Sequence, residues 1–169
     1  MTQTVDLVFD IASAADAAAL AAMRTRVAQD LTVRHGHGHW SYVVSERGVR
    51  RDIGTSKVVV ARKGRIIVGT LRLVAKKPWA IDPAYFTAVR RPLYLVDMAV
   101  EPRLQRHGVG RRLIDEAIAA AGAWPADAIR LDAYQGPAGA GGFYERCGFR
   151  EVGRAAYRGT ALIYYEHLL

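Results

Sequence analysis

The chain has 169 residues, 51% of them hydrophobic and 24% charged, with a formal net charge of +8. That length suits one domain with a real core, and the balance excludes a disordered chain, a collagen and a disulfide-stapled miniprotein. Cys147 is the sole cysteine, so no internal disulfide can form, and a reducing, cytoplasmic address is expected.

No uncharged apolar run approaches the roughly 18 residues of a membrane span. The nearest, Ile11 to Met23, is Ala-rich and interrupted by Asp16. The opening MTQTVDLVFD lacks a basic stretch before an apolar run, so no signal peptide is expected. Most of the excess charge is arginine. A basic surface attracts anions, whether nucleic acid, anionic membrane or a phosphorylated cofactor, and charge alone does not choose among them.

In chain order, Val5–Ile11 reads as a first strand. Ser13 has the character of an N-cap, with Asp16 completing an acidic capping box. Ala14 to about Asp30 is a predicted helix, with Leu20, Met23 and Val27 on one stripe. Arg34–Tyr42 is polar and aromatic and reads as a loop. Ser45–Ile53 reads as a second helix ending at Gly54. Lys57–Arg62 and Arg65–Val74 are β-branched runs separated by Lys63-Gly64, a hairpin pattern. Lys76–Pro92 is irregular. Leu93–Val100 is a predicted buried strand, Gly108–Ala121 a helix and Ile129–Ala133 a strand. A glycine-rich loop, a short helix to Cys147, and strands at Arg150–Ala156 and Leu162–His167 follow, with Arg158-Gly159 at the turn. There is no internal repeat. The order β, α, α, β, β, β, α, β, α, β, β makes an α/β domain with a mixed sheet.

The strongest chemical feature is the strand–loop–helix from Leu93 to Ala121. Gly108 and Gly110 carry no side chain, so an anion can approach the backbone closely. The helix that starts here offers unpaired N–H groups and the positive end of its dipole. Together these make a phosphate site, ringed by Arg103, Arg106, Arg111 and Arg112. The phosphate-loop string GxxxxGK[ST] is absent. A dinucleotide fingerprint would need glycine where Leu113 stands, although Asp132 sits about where a ribose-binding acid would. An NAD-type oxidoreductase is therefore kept as an alternative.

A third pattern fits more of the residues. Gln105-x-x-Gly108-x-Gly110 resembles the Q/R-x-x-G-x-G/A signature of the GNAT (GCN5-related N-acetyltransferase) superfamily. Its setting agrees: an apolar strand ending Met98-Ala99-Val100, then Pro102, then a helix. Phe143-Tyr144-Glu145-Arg146-Cys147-Gly148-Phe149 is similar to the superfamily's second motif, with Ala140 four residues before the tyrosine.

The resemblance implies a single-domain GNAT-like α/β fold over residues 1–169. Its sheet is mixed, mostly antiparallel and six- to seven-stranded, flanked by helices, with splayed parallel strands at the cofactor site. It implies acetyl-CoA as cofactor, its pantetheine arm pairing with the main chain of Met98, Ala99 and Val100. Gln105, Arg106, His107, Gly108, Val109, Gly110 and Arg111 would take the pyrophosphate, and Ala140 would lie beside the cofactor. Tyr144 would stand near the sulfur and protonate the departing thiolate. The backbone N–H near Met98 or Ala99 would receive the oxyanion. The amine's proton would go to Asp97 or to water. Where the superfamily often carries an asparagine seven residues before the tyrosine, this chain has Pro137, which offers neither that side chain nor an N–H. Gln135 or a glycine of the loop could take over that contact.

The acceptor would be an amine of a small molecule or peptide, and no nucleic acid or membrane partner is expected. Trp40, Tyr42 and Trp79, with Tyr85, could line an acceptor site or plug a sheet edge. The alternating His35, His37 and His39 could face one way in an extended chain, but lack an acidic or cysteine partner nearby, so no metal is expected. Cys147 reads as a packed side chain. A homodimer could form through the last strand, Ala161–Leu169. The third reading is a non-catalytic module of this fold that binds CoA or nucleic acid.

Overall fold

The computed structural model describes residues 6–169. Seven strands form one mixed sheet in the order β1-β2-β3-β4-β5-β7-β6, and helices α1–α4 flank it. The chain divides into two compact units. One contains the residues up to Arg72 together with Asp97–Ala117; the other contains Leu73–Val96 and Ile118–Leu169.

In the first unit, β1 (Val8–Ile11) lies antiparallel to β2 (Lys57–Lys63), with Phe9 opposite Ala61. The strand is shorter than the sequence suggested, and Val5 lies outside the described residues. Asp16 accepts a hydrogen bond from the Ser13 N–H (2.8 Å). That bond closes a short 3-10 turn, Ala14–Asp16, and α1 proper begins after it at Ala17. α1 (Ala17–His35) runs on past Asp30. Thr32 bonds back to the Ala28 carbonyl, Arg34 reaches Asp30 one turn earlier at 2.8 Å, and Gly36 at φ +78° ends the helix.

α2 (Glu46–Thr55) is capped by Ser45, whose hydroxyl accepts from the Gly48 N–H (3.0 Å), and it runs through Gly54 rather than stopping there. Leu20, Met23 and Val27 of α1 pack with Val49 of α2 and with Val58 and Val60 of β2. Each such side chain contributes roughly 1.5–3 kcal/mol by leaving water. β2 turns into β3 (Ile66–Val74) at left-handed Gly64. Gly69 in β3 has a steric reason: a Cβ there would lie 2.8 Å from Leu113 and 3.2 Å from Val109. The bare backbone lets α3 (Val109–Ala123) settle close against the strand. Gly108, at φ +83°, is not yet helical, so α3 starts one residue later than its sequence suggests.

In the second unit, β4 (Pro92–Val100) pairs parallel with β5 (Ala128–Tyr134), with residues 92–94 opposite 128–130. β7 (Thr160–Leu168) lies antiparallel to β5 on one side and to β6 (Arg150–Tyr157) on the other. This corrects the expectation that the last strand could pair across a dimer. Both edges of β7 are already hydrogen-bonded, and β6 ends the sheet. The β6–β7 turn uses left-handed Arg158 and Gly159, as the sequence suggests.

The irregular segment 75–91 is held down by buried polar groups. The Tyr164 hydroxyl donates to the Ala80 carbonyl. Arg130 and Glu166, opposite each other on β5 and β7, are both buried. Arg130 donates to the Thr87 carbonyl at 2.6 Å, and Glu166 accepts from the Thr87 N–H at 3.3 Å. Among the described residues, no helix is long and apolar enough to cross a membrane.

Candidate functional site

The loop between β4 and α3 lies in the first unit. Pro102–Leu104 form one 3-10 turn. Arg106 (φ +63°) and Gly108 (φ +83°) are both left-handed. Loops with this alternation turn successive amides inward and make anion-binding concavities. The loop feeds directly into α3, where the first turn of a helix lies ahead of its internal hydrogen-bond ladder. Arg103, Arg106, His107, Gly108 and Arg111 are exposed here.

Gln105 faces the other way. Its side-chain amide donates to the Val100 carbonyl (3.1 Å), and its carbonyl meets His107 Nδ1 (2.8 Å). Gln105 therefore ties the loop to the end of β4. Glu101 anchors the entry: its N–H donates to the Val68 carbonyl and its carboxylate accepts from Arg26, at 2.9 and 3.0 Å. Arg112 serves a different purpose from the one its place in the sequence suggests. Its guanidinium donates to the Leu7 carbonyl (3.3 Å) and stacks over the Phe9 ring (4.8 Å).

Just before this loop, Asp97 sits within β4 at φ +54°. Its two oxygens are taken by separate arginines. Oδ1 lies 2.9 Å from Arg24 and Oδ2 lies 2.9 Å from Nε of Arg72. Asp97 is thus an ion-paired carboxylate and not an open one. Met98, Ala99 and Val100 follow it, with Ala99 buried and the other two half-buried.

The second unit carries the tyrosine. Ala140 is the N-cap residue of α4 (Gly141–Arg146), and its carbonyl accepts from the N–H groups of Phe143 and Tyr144. Tyr144 is buried, with its ring 5.9 Å from Phe149 and 6.0 Å from Tyr165. Burial pushes its phenol far above the ordinary tyrosine range, and the charge of Asp132 adds to that push. The phenol therefore keeps its proton at neutral pH.

Asp132 on β5 is the residue that sequence reasoning passed over. It entered only as a ribose-binding acid for a different cofactor. Burial raises its carboxyl above the ordinary carboxylate range, with its own backbone N–H as the opposing effect. No ion pair reaches it among the described residues. The available signal was its place: an acid within the strand run Ile129-Arg130-Leu131-Asp132-Ala133, twelve residues before the tyrosine.

The glycine-rich loop 136–142 is built for close packing. Gly139 donates to the Gly136 carbonyl at 3.0 Å, and a Cβ on Gly139 would collide with the Tyr134 carbonyl. A Cβ on Gly141 would stand 2.5 Å from the Tyr165 hydroxyl. Pro137 lies in this loop, and the Gln135 N–H is used by the Ala161 carbonyl at 3.0 Å. Cys147, the C-cap residue of α4, is buried.

The aromatic residues divide. Trp40 donates to the Gly36 carbonyl (3.0 Å) and its ring covers Gly38, so it packs its own loop. Tyr85 lies edge-on to Tyr164 at 5.3 Å and covers Gly153. Tyr42 and Trp79 are exposed, Trp79 by 83%. His35 ends α1 and Gly36 is left-handed, so the extended run that would align His35, His37 and His39 does not form.

The described residues thus combine a mixed α/β sheet containing a parallel pair with a left-handed glycine loop entering a helix and a buried tyrosine on a short helix. A family profile described as an acetyltransferase (GNAT) domain matches residues 54–151, and the chain belongs to that family. Among curated proteins, none matches it.

Solved structures share the fold at low identity. An acetyltransferase of the GNAT family from Listeria monocytogenes is 16% identical, with 100% of this chain and 98% of that chain covered and a TM-score of 0.76. The ribosomal-protein-alanine N-acetyltransferase from Brucella melitensis is 21% identical, covering 96% and 99%, with a TM-score of 0.71. The yncA protein from Salmonella typhimurium, solved with its cofactor acetyl-CoA, is 16% identical, covering 96% and 93%, with a TM-score of 0.68.

Proposed function

We propose that this protein transfers the acetyl group of acetyl-CoA to a primary amine of a small molecule or peptide by direct attack in one ternary complex. Acetyl-CoA supplies an activated thioester. Every other part falls to residues of the chain. The left-handed loop at Arg106 and Gly108, the first amides of α3 and the exposed Arg103, Arg106 and Arg111 suit a diphosphate. The main chain of Met98, Ala99 and Val100 takes the pantetheine arm, and the N–H near Met98 or Ala99 receives the developing oxyanion.

The observation that carries the reading is the left-handed loop that enters α3, and β5 and α4 add a desolvated carboxyl, Asp132, and a buried phenol, Tyr144. A carboxyl made more basic by burial and a phenol that keeps its proton suit the two proton transfers of aminolysis. Asp132 accepts the proton that the amine must lose. As the C–N bond forms and the C–S bond breaks, Tyr144 donates its proton to the departing thiolate. Solvent then resets both groups. This replaces Asp97 as the proposed base, because arginines already occupy both Asp97 oxygens. Exposed Tyr42 and Trp79 remain proposed as contacts for the acceptor.

An NAD-type oxidoreductase would share the glycine turn, but antiparallel pairing of β1 with β2, β5 with β7 and β6 with β7 is unlike a doubly wound parallel sheet. The test is thermal stabilisation by acetyl-CoA, CoA, NAD and NADP side by side, followed by CoA-thiol release with a panel of primary amines. Stabilisation by the CoA species and amine-dependent thiol release are expected. Stabilisation by NAD or NADP alone would overturn the reading.

A further inference from the structure

We propose that Asp97 is a positioning residue, and that the Arg24–Asp97–Arg72 ion clamp holds β4 in the shape that presents residues 98–100 to the cofactor. This rests on the acetyl-CoA reading above.

Asp97 stands in the middle of a strand, yet its φ is +54°. A non-glycine residue there is strained relative to extended backbone. Such a residue interrupts the alternation of a strand as a bulge does, re-aiming the groups that follow. The burial along β4 fits this: Leu93, Tyr94 and Leu95 are buried in succession, then Val96, Asp97 and Met98 are all half-buried. The register with β5 runs from Pro92 to Tyr94, before the distortion.

Something must hold that backbone in place, and the side chain shows what does. Arg24 comes from α1 and is only 12% exposed; it grips Oδ1 at 2.9 Å. Arg72 comes from β3 and grips Oδ2 at 2.9 Å through Nε. Arg72 is itself steadied by Asp52 of α2, at 3.5 Å. Elements from three other parts of the chain thus converge on one strained residue. Two arginines and two aspartates also cancel, so the cluster carries no net charge. The cavity beside it, of about 10 Å³, has room for one water and not for an acceptor molecule. The cluster is therefore scaffolding. What it supports is the stretch Met98-Ala99-Val100, whose far end is fixed by Gln105 on the Val100 carbonyl.

The clamp and a catalytic-base role predict different orders among substitutions. The measurements are acetyl-CoA affinity by calorimetry and the pH dependence of kcat/KM, on Asp97→Gly, Asp97→Asn, Asp97→Val and Arg24→Gln, each checked for native circular dichroism. Glycine and asparagine tolerate left-handed backbone, whereas valine resists it. Glycine and asparagine suit the backbone but release both arginines, so their affinities should fall about five- to tenfold, and valine, which also resists the left-handed backbone, should fall well beyond about tenfold. Arg24→Gln, which loosens the grip without touching the strand, should weaken binding about fivefold. The acidic limb of the pH profile should stay in place throughout. If valine fails to fold, Arg24→Gln alone carries the affinity test.

Equal loss of turnover in all three Asp97 variants, with affinity unchanged and the acidic limb gone, would make Asp97 the base and overturn the clamp. Unchanged affinity in Arg24→Gln would also overturn it. A parent protein that binds no acetyl-CoA would overturn the functional reading itself, an outcome visible before any variant is made.

Discussion

Asp97 and Asp132 are two aspartates on strands that the structure treats in opposite ways. Around Asp97, in the first unit, negative charges are matched one by one: Asp97 by Arg24 and Arg72, Asp16 by Arg62, Glu101 by Arg26. Around Asp132, in the second unit, burial raises the carboxyl and no ion pair offsets it. A paired carboxylate is content as an anion and serves to hold backbone in place. An unpaired, desolvated one is driven to take a proton, which is what a base must do. Residue type and strand position are alike, so the difference lies in the cations that the fold delivers.

The sharpest way to break this comparison starts with the partner of Asp132. Tyr144→Phe keeps the ring contacts with Phe149 and Tyr165 and removes only the phenolic hydroxyl. Turnover should fall about 100- to 1,000-fold, with acetyl-CoA affinity little changed. Steady-state thiol release and calorimetry check the two halves. Unchanged turnover would remove Tyr144 as the acid.

Asp132→Asn should lower turnover by about 100-fold and abolish the acidic limb of the kcat/KM profile, which in the parent lies above the ordinary carboxylate range. It also carries a stability signature of opposite sign. The folded carboxyl titrates above its unfolded value, so its relative contribution is present at low pH and is lost as pH rises through the raised pKa. The asparagine variant should therefore melt higher than the parent at neutral pH while being less active. A lower melting temperature there would mean that Asp132 is a structural group.

Much of this was legible in the sequence, for identifiable reasons. Local chemistry carried the hairpin at Gly64, the Ser13–Asp16 capping box and the Arg158-Gly159 turn. The two-glycine loop with Tyr144 downstream carried the family. Three matters were hidden because they depend on distant residues. Arg112 reads as part of the anion ring, and only the fold shows it engaged by Leu7 and Phe9. Trp40 reads as a pocket wall, yet it covers Gly38 of its own loop. Asp97 reads as the accessible acid because Arg24 and Arg72 are far away in sequence. Asp132 was hidden for the converse reason: desolvation is a property of what packs around a strand, and strand alternation alone does not report it.

Gly110→Asp probes the loop side of the comparison. Gly110 is the second residue of α3, where a carboxylate favours the helix, so folding should survive. The same negative charge meets the proposed pyrophosphate and should weaken CoA binding about tenfold or more by calorimetry. Retained affinity would place the phosphate site elsewhere.

The smallest effect belongs to Arg62→Ala, which tests whether pairing in the first unit is structural. Arg62 holds Asp16 with two bonds, at 3.1 and 2.9 Å, across the gap between β2 and the start of α1. That contact is the main reason the Asp16 carboxyl lies below the ordinary range. A carboxyl with a depressed folded pKa lends stability that is present above its unfolded pKa and is lost as pH falls through the folded one. Arg62→Ala should therefore lower stability by about 1 kcal/mol at neutral pH. The gap between variant and parent should narrow once the pH drops below the usual carboxylate range, as thermal melts at several pH values would show. Turnover by properly folded enzyme should be unaffected, since neither partner has a part in the transfer. A gap that stayed constant with pH would mean that Arg62 acts through the packing of its aliphatic stem, and the pairwise matching seen around Asp97 would then have to be tested residue by residue.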